Sequence, residues 1–241
     1  MTYAIVSDIH SNLEALDAVF ARIDAHDRIL CLGDIVGYGP DPNACLARVR
    51  ARAHETVLGN HDVAAIDSHG LEFFNDAARS ALEWTQGQLA PEHLDWLDGL
   101  SYELRHPDFL LVHGAPVEYF TYILDKAAAT RAFAATDATL IFVGHTHIAD
   151  AYALGPDGTL EHRFFQQGGT LDFIEGHRYI VNVGSVGQPR DLNPDASFVR
   201  FDDVARRVQW ERVPYAIEET QRKIAAARLP DALGRRLGAG R

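Results

Sequence analysis

The chain has 241 residues, of which 47% are hydrophobic, so it is long enough to bury a sizeable core as a single domain over residues 1–241. Asp and Glu number 34 against 22 Lys and Arg, and the net charge of -12 argues against binding to long nucleic acids or anionic membranes. The 2 cysteines do not suggest a disulfide framework, and the first residues lack a secretory signal pattern. No apolar run approaches the roughly 20 residues needed to cross a bilayer. We therefore expect a soluble, cytoplasmic protein whose oligomeric state is open.

The first sixty residues alternate between short apolar strands and amphipathic helices. Strands are predicted at 3–7, 28–32 and 55–58, and helices at 12–25, with Asn12 as its N-cap, and at 42–53. Because the strands are apolar throughout, this order predicts parallel strands that are covered on both faces. Functional side chains are then expected at the carboxyl ends of the strands.

The remainder of the chain begins with helices and is then richer in strands. A helical insert is predicted at about 71–99, and strands follow at 109–112, 140–143, 152–154, 163–165, 179–183, 197–201 and 208–213. A last helix is predicted at about 216–228, and the Gly/Arg-rich tail at 234–241 is expected to be mobile. These elements indicate the α/β fold class.

Five short segments with metal-binding side chains follow, or nearly follow, predicted strands. They are Asp8-Ile9-His10, Gly33-Asp34, Gly59-Asn60-His61-Asp62, His113-Gly114 and Gly144-His145-Thr146-His147. In extended chain, residues two apart face the same way, which would bring Asp8 to His10 and His145 to His147. The neighbouring glycines allow sharp turns and the close approach of an ion or a phosphate. Chance is a poor explanation for all five segments in this order.

These segments resemble the motifs of the calcineurin-like metallophosphoesterase superfamily, over residues 8–147. The resemblance implies a two-sheet β-sandwich flanked by helices, and binuclear metal-dependent hydrolysis of phosphate esters by a metal-bridging hydroxide. It also implies the metal ligands: one ion is held by Asp8, His10 and His147, the other by Asn60, His113 and His145, and Asp34 bridges both.

The ligand types indicate the cofactors. Neutral imidazoles and an amide oxygen bind a divalent transition-metal ion without cancelling its charge. Two such ions are expected, with Mn²⁺ as the first choice and Fe, Zn, Ni or Co as alternatives. The two ions together with their ligands would then keep a net positive charge and attract a small phosphate ester as substrate.

The resemblance also assigns catalytic roles within the third segment. His61 would face the leaving group and donate a proton to it, and Asp62 would hold that imidazole in its protonated, correctly turned form. The alternative for Asp62 is a helix-start residue that the helix dipole stabilises.

Arg190 and Tyr38 are candidate substrate-binding residues. Arg190 lies in a loop rich in Gly, Pro and Ser, where it could clamp a phosphate or form a surface ion pair with Asp191. Tyr38, like Tyr119 and Tyr122, follows a motif strand and could stack on a base or an aryl group, or could serve only in packing.

The residues after Gly33-Asp34 help to separate branches of the superfamily. They lack the Asp-Arg pair of Ser/Thr protein phosphatases, and Asp62 replaces the glutamate of those enzymes. The size of the chain and residues 182–190 look more like the small bacterial phosphodiesterase-type branch. We therefore expect a phosphodiesterase or phosphatase of small phosphorylated compounds or nucleotides. The alternatives are a Ser/Thr protein phosphatase and a non-catalytic scaffold of the same fold, although a scaffold would be expected to have lost ligands that this chain retains.

Overall fold

The structure is a computed structural model that describes residues 1–68 and 70–241. Within these residues, twelve strands form two mixed sheets of six strands each. The strands are β1 (Thr2–Val6), β2 (Arg28–Cys31), β3 (Glu55–Thr56), β4 (Glu103–Arg105), β5 (Leu110–Val112), β6 (Leu140–Val143), β7 (Ala149–Leu154), β8 (Leu160–Phe164), β9 (Gly169–Asp172), β10 (Arg178–Val183), β11 (Ala196–Asp202) and β12 (Arg207–Val213). The first sheet has the order β3-β2-β1-β11-β12-β9, and the second has the order β4-β5-β6-β10-β7-β8.

Each sheet combines three parallel strands with three antiparallel additions. In the first sheet β1, β2 and β3 are parallel, as predicted, and in the second sheet β5, β6 and β10 are parallel. The five motif segments follow the carboxyl ends of β1, β2, β3, β5 and β6. This topology brings segments far apart in sequence to one end of the molecule.

Helices connect and cover the sheets. Within the described residues the α-helices are α1 (Leu13–Arg22), α2 (Pro42–Arg52), α3 (Asn60–Asp67), α4 (Asp76–Gln86), α5 (Pro91–Asp98), α6 (Lys126–Ala134), α7 (Ile217–Ala226) and α8 (Asp231–Leu237), with a 3₁₀ turn at Leu71–Phe73. The predicted N-cap of α1 is confirmed, since the Ala15 N–H donates to the Asn12 side chain. None of the described helices has both the length and the apolar character that a membrane span requires.

The two sheets pack face to face. Their shared interior contains the large side chains Phe142, Phe201 and Trp210, all buried. Helices α1, α2, α3 and α5 cover the outer face of the first sheet, and α6 covers the outer face of the second. The sandwich flanked by helices that the resemblance implied is confirmed.

Two peripheral segments also shape the region near the motifs. The segment 71–99 contains the 3₁₀ turn, α4 and α5, in agreement with the predicted helical content. At the other end of the chain, α8 packs with Tyr38, α4 and α7 through the buried residues Leu233 and Leu237. The first half of the tail, residues 234–237, is therefore helical and packed through Leu237, which differs from the mobile segment that its composition suggested.

The interior between the sheets provides a stability prediction. Phe142→Ala should lower the free energy of unfolding by about 3–5 kcal/mol, because it leaves a cavity that the two sheets cannot close. Denaturant unfolding of metal-free protein measures this change. The matched control is Phe164→Ala, since Phe164 is 58% exposed on β8 and should cost less than about 1 kcal/mol. Equal losses for both variants would contradict the assignment of Phe142 to the core between the sheets.

Candidate metal centre

Seven polar side chains meet at the carboxyl ends of the parallel strands. One atom each from Asp8, His10, Asp34 and His147 lie within 4.8 Å of one another, and the same holds for Asp34, His113 and His145. All of these residues are buried. Asp34 belongs to both groups, and the third segment adds Asn60 at the start of α3.

The backbone that carries these residues is bent rather than extended. Five of them have left-handed φ values between 50° and 66°, namely Asp8, His10, Asp34, His145 and His147. Non-glycine residues in this region cost on the order of 1–3 kcal/mol each and often mark functional sites. The expectation that Asp8 would meet His10, and His145 would meet His147, through extended chain was therefore wrong about the conformation, although the residues of each pair do share the site.

Glycines let the loops pack tightly against the carboxylates. A Cβ atom on Gly59 would lie 2.0 Å from Oδ1 of Asp34, and one on Gly144 would lie 2.5 Å from Oδ2 of Asp8. These carboxylate oxygens accept hydrogen bonds from the backbone N–H groups of His61 and His145, at 2.8 and 3.0 Å respectively. These glycines thus leave room for the carboxylate oxygens, in addition to allowing the turns.

Each imidazole of the cluster has one ring nitrogen within hydrogen-bonding distance of a backbone carbonyl. The pairs are His10 Nδ1 with Val36 O (3.1 Å), His113 Nδ1 with Leu32 O (2.8 Å), His147 Nδ1 with Gln188 O (2.6 Å) and His145 Nε2 with Phe120 O (2.9 Å). Since a carbonyl only accepts, these four ring nitrogens must carry the proton and donate. The other nitrogen of each neutral ring then presents its lone pair to the cluster, as in metal-binding histidines.

These lone pairs converge at unusually short distances. Nε2 of His10 lies 3.1 Å from Nε2 of His147, and Nε2 of His113 lies 3.1 Å from Nδ1 of His145. Oδ2 of Asp34 lies 3.3 Å from Nε2 of His113 and 3.6 Å from Nε2 of His10, so it stands between the two groups.

Two further acceptor atoms support a cation at this point. Within the described part of the chain, Oδ1 of Asp8 and Oδ1 of Asn60 are buried and have no hydrogen-bond partner. Buried acceptors without partners are costly, and a positive ion would satisfy them together with the facing nitrogens. The residues present therefore fit divalent metal ions.

The pKa values follow from burial and from the close packing of opposite charges. Burial alone would raise the pKa of Asp34, but His113 and His61 outweigh it and hold that pKa well below its usual range. Burial alone would lower the pKa of His113, but Asp34 and Asp8 raise it to about 9. Burial and the nearby His113 lower the pKa of His145 to about 3. The ionised carboxylates thus favour positive charge at the cluster. A proton on His113 or a metal ion can supply that charge.

His61 and Asp62 do not form the expected pair. The Asp62 carboxylate accepts hydrogen bonds from the backbone N–H groups of Ile35, Val36 and Gly59, at 2.9, 3.2 and 3.1 Å. Nδ1 of His61 has no hydrogen-bond partner among the described residues. The contacts of Asp62 fit the alternative, a helix-start residue, because it lies in the first turn of α3 and accepts from the backbone there. Its carboxylate also connects the loop after β2 to that helix.

The His61 ring is packed among other rings. Its centroid lies 4.7 Å from that of His10, 4.4 Å from that of Tyr38 and 4.7 Å from that of Phe74. Burial lowers the pKa of His61 to about 4, with Asp34 opposing and Arg190 adding to the effect.

Arg190 and Tyr38 lie together beside the cluster. Nη2 of Arg190 donates to the Tyr38 hydroxyl at 3.3 Å and to Oε1 of Gln188 at 3.0 Å. The alternative ion pair with Asp191 is not formed, because Asp191 pairs instead with Arg212. Among the described residues Arg190 has no carboxylate partner, so its charge is free to face an anion.

Other aromatic residues lie near the cluster, and the tertiary structure shows which rings they contact. Tyr122 stacks on His145 with ring centroids 3.9 Å apart, and Tyr119 stacks on Tyr102 at 5.2 Å. Together with Asn60 and His61 they line a cavity of about 550 Å³ that also reaches Phe73 and Phe74. Tyr102 and the carbonyl of Gln188 carried no metal or catalytic motif, so sequence reasoning missed their part in the site.

Comparison with known proteins agrees with this geometry. Residues 1–204 match the family model of the calcineurin-like phosphoesterase superfamily domain. The chain belongs to this superfamily. The crystal structure of a metallophosphoesterase from Sphaerobacter thermophilus is 41% identical, superposes with a TM-score of 0.89, and both chains are covered over 100% of their length. An uncharacterized protein of Methanocaldococcus jannaschii is 37% identical over 246 residues, which cover 99% of this chain and 98% of that protein.

A symmetrical bis(5'-nucleosyl)-tetraphosphatase of Shewanella baltica is also similar, at 28% identity over 137 residues. This match covers 54% of the chain and 50% of the tetraphosphatase, so the chain aligns with about half of that enzyme. The resemblance to the calcineurin-like superfamily is confirmed, and with it a hydrolase that acts on phosphate esters in a family that depends on divalent metals.

The contacts of Asp62 generate a prediction on stability. Asp62→Ala leaves three buried N–H donors without an acceptor and should lower the free energy of unfolding by at least about 2 kcal/mol. Asp62→Asn keeps one acceptor oxygen and should fall between wild type and Asp62→Ala. Denaturant unfolding of metal-free protein gives the order, with Asp108→Ala, in an exposed loop, as the control. Wild-type stability of Asp62→Ala, combined with a loss of activity, would favour the original pairing with His61.

Proposed function

We propose that this protein binds two divalent transition-metal ions and uses them to hydrolyse small phosphate esters, as a phosphodiesterase or phosphatase of small phosphorylated compounds or nucleotides. The observation that carries the proposal is the position of Asp34, whose Oδ2 lies between two groups of imidazole nitrogens. One group contains His10 and His147, and the other contains His113 and His145.

The proposed ligand sets follow these two groups. Asp8, His10 and His147 would hold one ion, Asn60, His113 and His145 the other, and Asp34 both. The mixture of imidazole, amide and carboxylate favours Mn²⁺, Fe, Co, Ni or Zn over calcium, and Mn²⁺ is our first choice. Divalent ions bound here would polarise the phosphate oxygens and lower the pKa of water towards neutrality.

The chain's own residues would position the ester. Arg190, which has no carboxylate partner among the described residues, would face the phosphate, and Tyr38 would hold the guanidinium through its hydroxyl. His61 lines the cavity, which supports a role as proton donor to the leaving oxygen. The negative charge of a bound phosphate would favour the protonated ring and oppose the burial that lowers the pKa of His61.

The substrate is proposed to be small. A cavity of about 550 Å³ suits a metabolite, and the net charge of -12 disfavours long nucleic acids. The similarity to a bis(5'-nucleosyl)-tetraphosphatase supports nucleotides among the candidate substrates. Cys31 and Cys45 are buried free thiols, which supports our proposal of a cytoplasmic protein.

Metal dependence is the first test. Chelation should abolish hydrolysis of bis(p-nitrophenyl) phosphate, and reloading with Mn²⁺ should restore it with about two ions per chain. Metal content is measured beside the rate, with parallel samples reloaded with zinc, nickel and magnesium. Full activity after verified metal loss, or activity on a phosphopeptide but not on small esters, would contradict the proposal.

Two substitutions separate a bridging ligand from a ligand of one ion within the same test. Asp34→Asn should lower the occupancy of both metal positions, whereas Asn60→Ala should lower the occupancy of one. The rate should therefore fall further in Asp34→Asn. The reverse order, at matched folding, would remove the bridging role of Asp34.

The role of His61 generates a second prediction. His61→Ala should retain its metals but lose about 10²- to 10⁴-fold in kcat/KM on esters with an alkoxide leaving group, which needs a proton as the bond breaks. Nitrophenyl esters should lose far less, because nitrophenolate leaves without protonation. Both kcat/KM values are compared in wild type and variant at equal metal loading. An equal loss on both substrates would leave His61 as a positioning residue, and loss of metal would make it a ligand.

A further inference from the structure

The cavity beside the metal cluster has a wall made of aromatic rings. It starts at Asn60 and His145 and reaches the surface at Phe73, whose side chain is 88% exposed. Tyr122 covers His145 in a parallel stack, with ring centroids 3.9 Å apart and planes 11° apart. Tyr102 forms a second parallel stack further along the wall.

The exposure of these rings is not explained by packing. Tyr102 and Tyr122 are 41% and 45% exposed, and Phe73 contributes almost nothing to the core. Several exposed rings around one small cavity form an apolar surface of the kind that ligands cover when they bind. The segment that holds Phe73 is the 3₁₀ turn at the start of the helical insert.

The chemistry of the wall restricts what that ligand can be. Seven of the described lining residues are Phe or Tyr, whereas Val63 is the single branched aliphatic residue among them. None of the described lining residues is Asp, Glu, Lys or Arg, although 34 of the 241 residues of the chain are acidic. Flat rings with hydroxyl groups at their edges suit a flat, uncharged ring that carries polar atoms.

We propose that the outer part of this cavity, formed by Phe73, Tyr102 and Tyr119, is a subsite for the nucleobase of a nucleotide ester. The phosphate of that ester would lie at the metal cluster. This inference rests on the proposed phosphoesterase function and names the substrate class of the same site.

The metal cluster and the subsite provide different chemistry, as the phosphate end and the base end of a nucleotide require. The phosphate end requires the cluster, where Arg190 and the imidazoles provide positive charge and lone pairs. The base end requires stacking surfaces without charge, and the aromatic residues that line the same cavity as His145 and Tyr122 provide them. Stacking discriminates little between bases, so the wall selects nucleotides as a class rather than one base.

The experiment compares two ligands that differ only by the base. Non-hydrolysable phosphonate analogues of AMP and of ribose 5-phosphate are titrated into the metal-loaded protein, and binding is measured by calorimetry. We expect the AMP analogue to bind about tenfold more tightly or better, as stacking on aromatic side chains predicts. Phe73→Ala and Tyr102→Ala should each reduce this ratio to about threefold or less.

The matched control is Phe164→Ala, which also removes an exposed phenylalanine but lies on β8, outside the cavity, and should keep the wild-type ratio. Equal affinity of the two analogues in wild type, or an unchanged ratio in both cavity variants, would overturn the base subsite. Failure of the phosphoesterase proposal would look different, since neither analogue would then show metal-dependent binding.

Discussion

The metal centre depends on hydrogen bonds between imidazoles and backbone carbonyls. His10, His113 and His147 each donate one N–H to a carbonyl of another loop, and His145 does the same to Phe120. In a neutral ring whose one nitrogen donates in this way, the other nitrogen presents a lone pair. The accepting carbonyls follow strands of both sheets, so the ligand geometry is correct only when the ends of the two sheets are aligned.

That arrangement places several contributions that are unfavourable for folding at one end of the sandwich. Two carboxylates are fully buried, five cluster residues adopt left-handed backbone conformations, and acceptor atoms of Asp8 and Asn60 lack partners within the described chain. The buried carboxylates and the acceptors without hydrogen-bond partners are unfavourable without positive charge at the cluster, and the left-handed residues add backbone strain. Metal ions would offset them together, because they bind the folded cluster and not the dispersed ligands of the unfolded chain. Folding and metal binding are thus expected to stabilise one another.

The two sides of the site perform different tasks. The cluster and Arg190 lie on the side formed by strand ends, where the backbone is held by many hydrogen bonds. The aromatic wall comes from the loop before β4, the loop after β5 and the helical insert, which supplies Phe73 and Phe74. The chemistry of the cluster therefore depends on the strand ends, whereas the proposed selection of the ester depends on the connecting segments. The loop after β5 contributes to both, because its Phe120 carbonyl accepts the hydrogen bond from His145. Helix α8 adds support from the chain end, since it packs against Tyr38.

The sequence by itself determined the parts of this protein that are local. Short apolar runs identified most strands, Asn12 identified a helix start, and the five motif segments identified the residues that meet at the cluster, because ligand chemistry and strand periodicity are properties of a few adjacent residues. Contacts between distant segments were decided only by the tertiary structure. Asp62 accepts hydrogen bonds from the backbone N–H groups of residues 35 and 36 and does not pair with His61. Arg190 donates to Tyr38 and does not pair with Asp191. Helix α8 forms in a Gly/Arg-rich segment, and its leucines are buried against Tyr38 and α4, which lie far away in the sequence, as well as against α7. A side chain's partner depends on which segments the fold brings to it, and no local pattern contains that information.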